Sequence, residues 1–515
     1  MKVTKRILCL ALALLMLLSM LIACKKKDPN AGDTGTPGET SDTTPTEAPT
    51  ETDEYGQIVY QDPTAGLNFN GKSIHFLIRE GDQYKREWFN EEPGDSLEQY
   101  IHYRNLAVAE ELNVTIDWII QAEGENNAEF TKKITNVGNS GMGGIDVVSN
   151  FAAYATNQTI MGYYVNWYNK EKLPYLNLDK NYWNQDFIRD AEAFDRLFVC
   201  VGDMNLSVYD RCMVVFFNPT EAAARLKDAN GNAINLYALA QSGEWYYETF
   251  YNMIKDVYVD NGTTQGTRDN KDFYGVTGIK GSEASDAFLY SLGGALTQTD
   301  VNDGSHSLVT ETGLAKLETI FGKMDEFWYS TGATMPTSSS ANYDVFTGGH
   351  AMFMVDVVWH YDDGLTKLNN MSSGYGILPM PKLDENQTEY LTGVQDAHNV
   401  LSIMMGGMTQ DLGMVSAVLE KMAFESYETV RPYYVEKMLK KQQMNADSEA
   451  CFNLVLNGIT WDFADVYATS LSGLRSKLWR GPFQRQESFT TNWGNNKDTY
   501  GTYLTNLDTW LIAKY

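Results

Sequence analysis

Several short patterns in this chain could do chemistry. Gly66-Leu67-Asn68-Phe69-Asn70-Gly71-Lys72-Ser73 satisfies G-x-x-x-x-G-K-[ST] letter for letter. A phosphate-binding loop must leave a strand and open a helix, so that loop amides and the helix N-terminus cradle the phosphates. Here the pattern comes before an apolar strand-like run, so it reads as a turn. "DNGTTQGTRDNKD" (260–272) has the look of a calcium loop, but Thr264, Gln265 and Lys271 occupy places that need ligands or glycine. Four acids, Asp203, Asp210, Asp356 and Asp396, are candidates for a carboxylate pair of the kind used in glycoside hydrolysis, where only spatial separation decides. No G-x-S-x-G, C-x-x-C or H-E-x-x-H occurs. Serine-hydrolase, thioredoxin-like and zincin chemistry are therefore not expected, nor are a metal or a cofactor.

The cysteines separate by position. Cys9 lies within an apolar run from Ile7 to Ala23, preceded by Lys2, Lys5 and Arg6. This is the layout of a secretory signal over 1–23, short of the roughly 20 apolar residues of a membrane span. The run closes on Leu21-Ile22-Ala23-Cys24, which resembles the bacterial lipobox. That resemblance implies cleavage before Cys24 and acylation of its thiol. Lys25, Lys26 and Lys27 then face the membrane surface, where each cation contributes on the order of 1 kcal/mol. Cys200 and Cys212 flank a short polar stretch between two apolar runs. Outside the cell they can form a disulfide, or remain buried thiols.

The elements that must position these residues follow from composition and periodicity. Residues 28–55 are rich in Thr, Pro, Glu, Asp and Gly and lack large apolar side chains. Such a segment cannot fold by itself, and 24–66 reads as a lipidated N-terminus and tether. Beyond it, "SIHFLIRE" (73–80), "VTIDWII" (114–120) and "IDVVSNF" (145–151) read as strands, and "SLEQYIHYRNLAVAEELN" (96–113) as an amphipathic helix. Strand–helix–strand alternation indicates an α/β fold. Further strands are expected at 351–359 and 375–381, and helices at 236–258, 408–426 and 426–442. No internal repeat is present. The formal net charge of -27 argues against nucleic acid as a partner. The 31 Tyr, 22 Phe and 11 Trp exceed what chemistry alone needs, so most must be core.

The stretches "YRNLAVAEELNV", "GDMNLSVYDRCMVVFFNPT", "LYALAQSGEWYYETF", "DFYGVTG", "AMFMVDVVW", "YGILPMPKLDENQTEY" and "AFESYETVRPYYVEKML", in this order and spacing, resemble the extracellular solute-binding lipoproteins of ABC importers, of the sugar-binding type. The resemblance covers about 71–470. It implies a two-lobed α/β fold like that of maltose-binding protein, with an interlobe cleft. Lobe one is expected over 67–205 plus 376–426, and lobe two over 206–375 plus 427–515. Crossing strands are expected near Val199–Phe217, near Met380–Val400 and after Ser426. The resemblance further implies a lipid-anchored monomer on the outer face of the bacterial membrane, a carbohydrate ligand and a membrane permease as partner. The loop at 260–272 departs from the acidic loop of relatives, which puts a calcium site in doubt.

In such a cleft, ligand meets the ends of strands and the loops after them. That selects Arg79, Glu80 and Asp82 after the first strand, and Asn150, Phe151 and Tyr154 after the third. It also selects Tyr209 and Asp210 in the crossing stretch, Trp245 at a helix start, and Asp356 with Trp359 at the end of "AMFMVDVVW". Trp245 and Trp359 are expected to stack on sugar rings. A peptide or other solute binder of the same fold, or a surface glycosidase, are the other readings the residues leave open.

Overall fold

The computed structural model describes residues 62–88, 96–262, 264–358, 364–406, 410–439 and 446–513. Fourteen short strands run through them. The first three are β1 (Lys72–Arg79), β2 (Val114–Gln121) and β3 (Val147–Phe151). Next come β4 (Met213–Phe217), β5 (Tyr258–Val259) and β6 (Phe273–Gly278), then a hairpin of β7 (Thr297–Thr299) and β8 (His306–Leu308). β9 (Ala333–Thr334), β10 (Ala351–Val357) and β11 (Gly376–Pro379) follow, then β12 (Thr392–Gly393), β13 (Asn399–Ile403) and β14 (Ile459–Thr460).

Two sheets form the body. The first has the order β13-β3-β1-β2, with β1 parallel to both neighbours and β13 antiparallel to β3. The second has the order β11-β4-β10-β6-β5, with β9 beside β6. β4 (MVVFF) and β10 (AMFMVDV) are buried along their whole length. Strands covered on both faces lose the in–out alternation of half-exposed ones, which is why these two read as continuous apolar runs. The helix Ser96–Leu112 lies against β2 and against the helix Leu412–Glu425.

Two segments cross side by side between the sheets. Cys200 bridges to Leu401 at the first-sheet end, and Cys212 bridges to Val394 at the other. The first segment lies inside the expected Val199–Phe217, and the second overlaps the end of the expected Met380–Val400. The lobe assignment needs two corrections. Gly376–Pro379 was expected in lobe one, but pairs antiparallel with Val214–Phe217 in the second sheet, because its apolar residues extend the β4 ladder. Residues 427–439 were expected in lobe two. They continue the helix Leu412–Glu425 through a π-helical turn, Ser426–Val430, and pack on Ser96–Leu112 of the first lobe. The next helix, Ala446–Asn457, lies on β11 of the second sheet.

The expected disulfide is not present. Cys200 and Cys212 are both buried free thiols. Their bridges hold them at opposite ends of the segment Val394–Leu401, which keeps the sulfurs apart. The pattern at 66–73 turns through Asn70 and Gly71, at φ 56° and 72°, and enters β1 rather than a helix. In the loop 260–272, Asp272 accepts hydrogen bonds from the backbone of Asn261 (2.9 Å), Gly262 (2.8 Å) and Asp269 (2.9 Å) and from the Tyr258 hydroxyl (3.0 Å). One carboxylate thus organises this loop. Among the described residues no cluster of three or more His, Cys, Asp or Glu side chains is arranged to hold a metal.

Candidate functional site

The site is built where the ends of β1 and β3 meet the crossing segments. Arg79, the last residue of β1, is buried. Its guanidinium donates to Ala397 O (3.2 Å), Asn399 Oδ1 (2.9 Å) and Glu123 Oε2 (2.9 Å). It lies 3.3 Å from the Tyr84 ring centre and 4.5 Å from that of Phe151. Planar guanidinium forks suit such combined stacking and hydrogen bonding. Arg79 therefore positions Phe151, Glu123 and the crossing segment, with little left to offer a ligand. Asn150 is also buried, accepting from Asn127 Nδ2 (3.0 Å) and Phe151 N (2.8 Å).

Phe151 and Tyr154 are half-buried and meet edge to face, with ring centres 5.2 Å apart. Glu80, which follows Arg79 directly in the chain, is exposed. These three remain available to a ligand. The side chain of Asp82, with Trp359 and Cys24, lies outside the described residues.

The remaining expected residues belong to the framework. Tyr209 donates to Asp203, and Asp210 takes Arg86 and the Tyr434 hydroxyl (2.8 Å); both are buried. These bonds tie the helical turn Leu206–Asp210 of the crossing segment to the first lobe. Trp245 is fully buried in the second lobe, donating to Pro379 O (2.9 Å) against Phe250 and Phe353. Asp356 is fully buried on β10 and accepts from Asn342 Nδ2 (2.8 Å). The expectation that Trp245 and Asp356 contact ligand is thus corrected. A helix start and a strand end look alike in sequence whether they face a cleft or a core.

A charged network was not visible in the sequence. Arg475 contacts Asp465 (2.6 Å), Asp396 (3.0 Å) and Asp286 (3.3 Å), and Arg480 contacts Asp286 and Asp396 (3.1 Å). A π-helical turn, Ser476–Arg480, brings the two arginines to one side. At ordinary helical spacing, five residues would point them apart. Burial acts to raise the Asp396 carboxyl, but Arg480 and Arg475 hold it down at about 2. That defeats its use as a general acid, which needs a raised value. Asp203, Asp210 and Asp356 are committed to the bonds above, so no pair among the four is poised for glycoside cleavage.

Glu87 is a further residue that sequence reasoning missed. It is buried and accepts from Ser207 N (2.7 Å) and Asn399 Nδ2 (2.6 Å), one from each crossing segment. Burial pushes its carboxyl up to about 7, against those hydrogen bonds. A raised acid stabilises the fold below its unfolded value near 4.5, and that contribution is lost as pH rises through 7. Wild type should therefore lose up to about 3 kcal/mol of stability between pH 5 and pH 8 through this group. Glu87→Gln should remove that part of the slope. Urea titrations at both pH values check it, and parallel curves for the two proteins would refute it.

A groove of about 860 Å³ lies between Gln185–Asp195 and the β7–β8 hairpin. It contains none of the expected ligand residues.

No protein-family model matches the chain, and no curated protein sequence matches it. Solved structures do. A cyclo/maltodextrin-binding protein complexed with maltotetraose superposes with a TM-score of 0.52 at 9% identity, covering 86% of this chain and 98% of that one. The fold is that of the sugar-binding proteins of ABC importers. A family 1 extracellular solute-binding protein from Bifidobacterium longum subsp. infantis gives 0.51 at 12% identity, covering 85% of this chain and all of that one. A sugar transporter from Rhizobium etli in an open conformation gives 0.52 at 12% identity, covering 86% and 99%. The paired segments at Cys200–Cys212 and Val394–Leu401 run between the two sheets. Arg79, Glu87 and Asp210 are then groups that brace these segments.

Proposed function

We propose that the chain is an extracellular substrate-binding lipoprotein, anchored through Cys24, that captures a carbohydrate between its lobes and delivers it to an ABC permease. Lobe one takes 67–205 and 399–439, and lobe two takes 213–393 and much of the chain after 446. The observation that carries the reading is the Phe151–Tyr154 pair, half-exposed at the end of β3 and braced by Arg79. An aromatic face covers the C–H side of a pyranose, while Glu80, Glu123 and Asp396 supply acceptors for hydroxyls. Maltotetraose, the sugar complexed with the maltodextrin-binding neighbour, is the natural first probe.

Calorimetry with maltotetraose and other neutral oligosaccharides tests this. Tyr154→Ala should weaken binding roughly ten- to a hundredfold, the equivalent of 1–3 kcal/mol of lost apolar contact. The melting temperature of the free protein should hardly move. Normal binding by the variant would remove Tyr154 from the site. Cleavage of the sugar, or no heat with any oligosaccharide, would overturn the function. The anchor is checked separately: Cys24→Ser should move the protein out of the membrane fraction, and unaltered membrane retention would refute acylation at this thiol.

A further inference from the structure

A small void lies against the crossing segment. Its volume is about 10 Å³, close to the least that admits one water-sized oxygen. Its wall is mostly apolar, and its polar members are Thr156, Asp396 and Asp465 with two rings, His398 and Trp461. Both rings are buried, at 2% and 6% exposure, with centres 6.0 Å apart. Among the described residues, neither His398 Nε2 nor Trp461 Nε1 has a hydrogen-bond partner. A buried polar atom left unmatched costs about 1–3 kcal/mol, so two such atoms on rings that line one void call for a partner able to serve both.

The protonation of the two nitrogens states what that partner must be. His398 Nδ1 lies 2.9 Å from Gln395 O, and a carbonyl only accepts, so Nδ1 carries the hydrogen. Burial pushes the ring down to about 4, which leaves it neutral at ordinary pH. Nε2 is then a lone pair seeking a donor, and Trp461 Nε1–H is a donor seeking an acceptor. A carboxylate has no hydrogen to give, and an ammonium has no lone pair. A hydroxyl-type oxygen does both.

We propose that the void is a single-oxygen site, whose occupant donates to His398 Nε2 and accepts from Trp461 Nε1. The occupant joins the crossing segment to the chain that follows β14. The oxygen comes from an ordered water or from a hydroxyl of the bound ligand. Only the second source rests on the carbohydrate reading above. Asp396, which lines the same void and is 26% exposed, marks the side on which a ligand can approach.

Crystals of the whole chain, grown alone and with maltotetraose and refined to about 1.5 Å or better, decide this. The expected result is one oxygen within about 3.2 Å of both nitrogens. Isolated density assigns it to water, and density continuous with a sugar ring assigns it to the ligand. Failure to bind maltotetraose would weaken the carbohydrate reading yet still leave the water expected. An oxygen touching only one nitrogen, or a protein group satisfying either, would overturn the proposal. Nitrogen NMR of His398 gives a second readout. The neutral Nδ1–H tautomer at pH 7 is expected, and an Nε2–H tautomer or an imidazolium would refute the acceptor role. Trp461→Phe keeps a ring but removes the donor. It should displace the oxygen and, if the ligand supplies it, weaken maltotetraose binding about tenfold.

Discussion

Replacing Arg475 by methionine should lower the free energy of unfolding by about 3–5 kcal/mol, the range for removing one partner of a buried ion pair. Arg475 is 4% exposed and serves three carboxylates and the Tyr290 hydroxyl (2.6 Å). Arg480 still covers Asp286 and Asp396 in the variant, so the loss concentrates on Asp465, itself buried. The penalty comes from the uncompensated charge rather than from the bond alone. Arg475→Met combined with Asp465→Leu should therefore recover much of the stability, since replacing a whole buried pair by apolar groups is often close to neutral. Denaturant titrations of the two variants check both parts. A loss under 1 kcal/mol for the single variant would show that water reaches the network.

Trp245→Ala should cost a similar amount, about 3–5 kcal/mol, by opening a cavity in the second lobe. The indole is fully buried, its N–H bound to Pro379 O and its ring 4.9 Å from Phe250. The alanine leaves that carbonyl without its donor and the aromatic cluster without its centre. Oligosaccharide affinity of the folded fraction should stay within about threefold, because the side chain points into the core. Read from sequence as a cleft residue, Trp245 would show the reverse: weakened binding with an unchanged melting temperature. Thermal melts and calorimetry on the same variant separate the two.

The charged groups show where sequence reasoning reaches its limit. Asp396, Arg475 and Arg480 are far apart in the chain or out of helical phase, and only a π-helical turn and the crossing segment bring them together. Glu87 gives no signal either, since a single glutamate beside Trp88 looks like any surface acid until both crossing segments close over it. Cys200 and Cys212 are close in sequence, yet the helical turn Leu206–Asp210 and their separate bridge partners keep them from bonding.

By itself, the amino-acid order determined the elements and their class. Period-2 and continuous apolar runs mark β1, β2, β3, β4 and β10, helical spacing marks Ser96–Leu112 and Leu412–Glu425, and both follow from local geometry that each segment carries alone. It also separated an apolar N-terminal run and a polar, proline-containing stretch from the rest of the chain, because burial capacity is a property of composition. Only the tertiary structure decided which aromatics face solvent, which acids are held by arginines, and which sheet receives Gly376–Pro379. Those outcomes depend on contacts between residues far apart in the chain, from 79 to 318 positions in the hydrogen bonds of Arg475 and Arg79, where burial and pairing free energies are set by neighbours that no local pattern names.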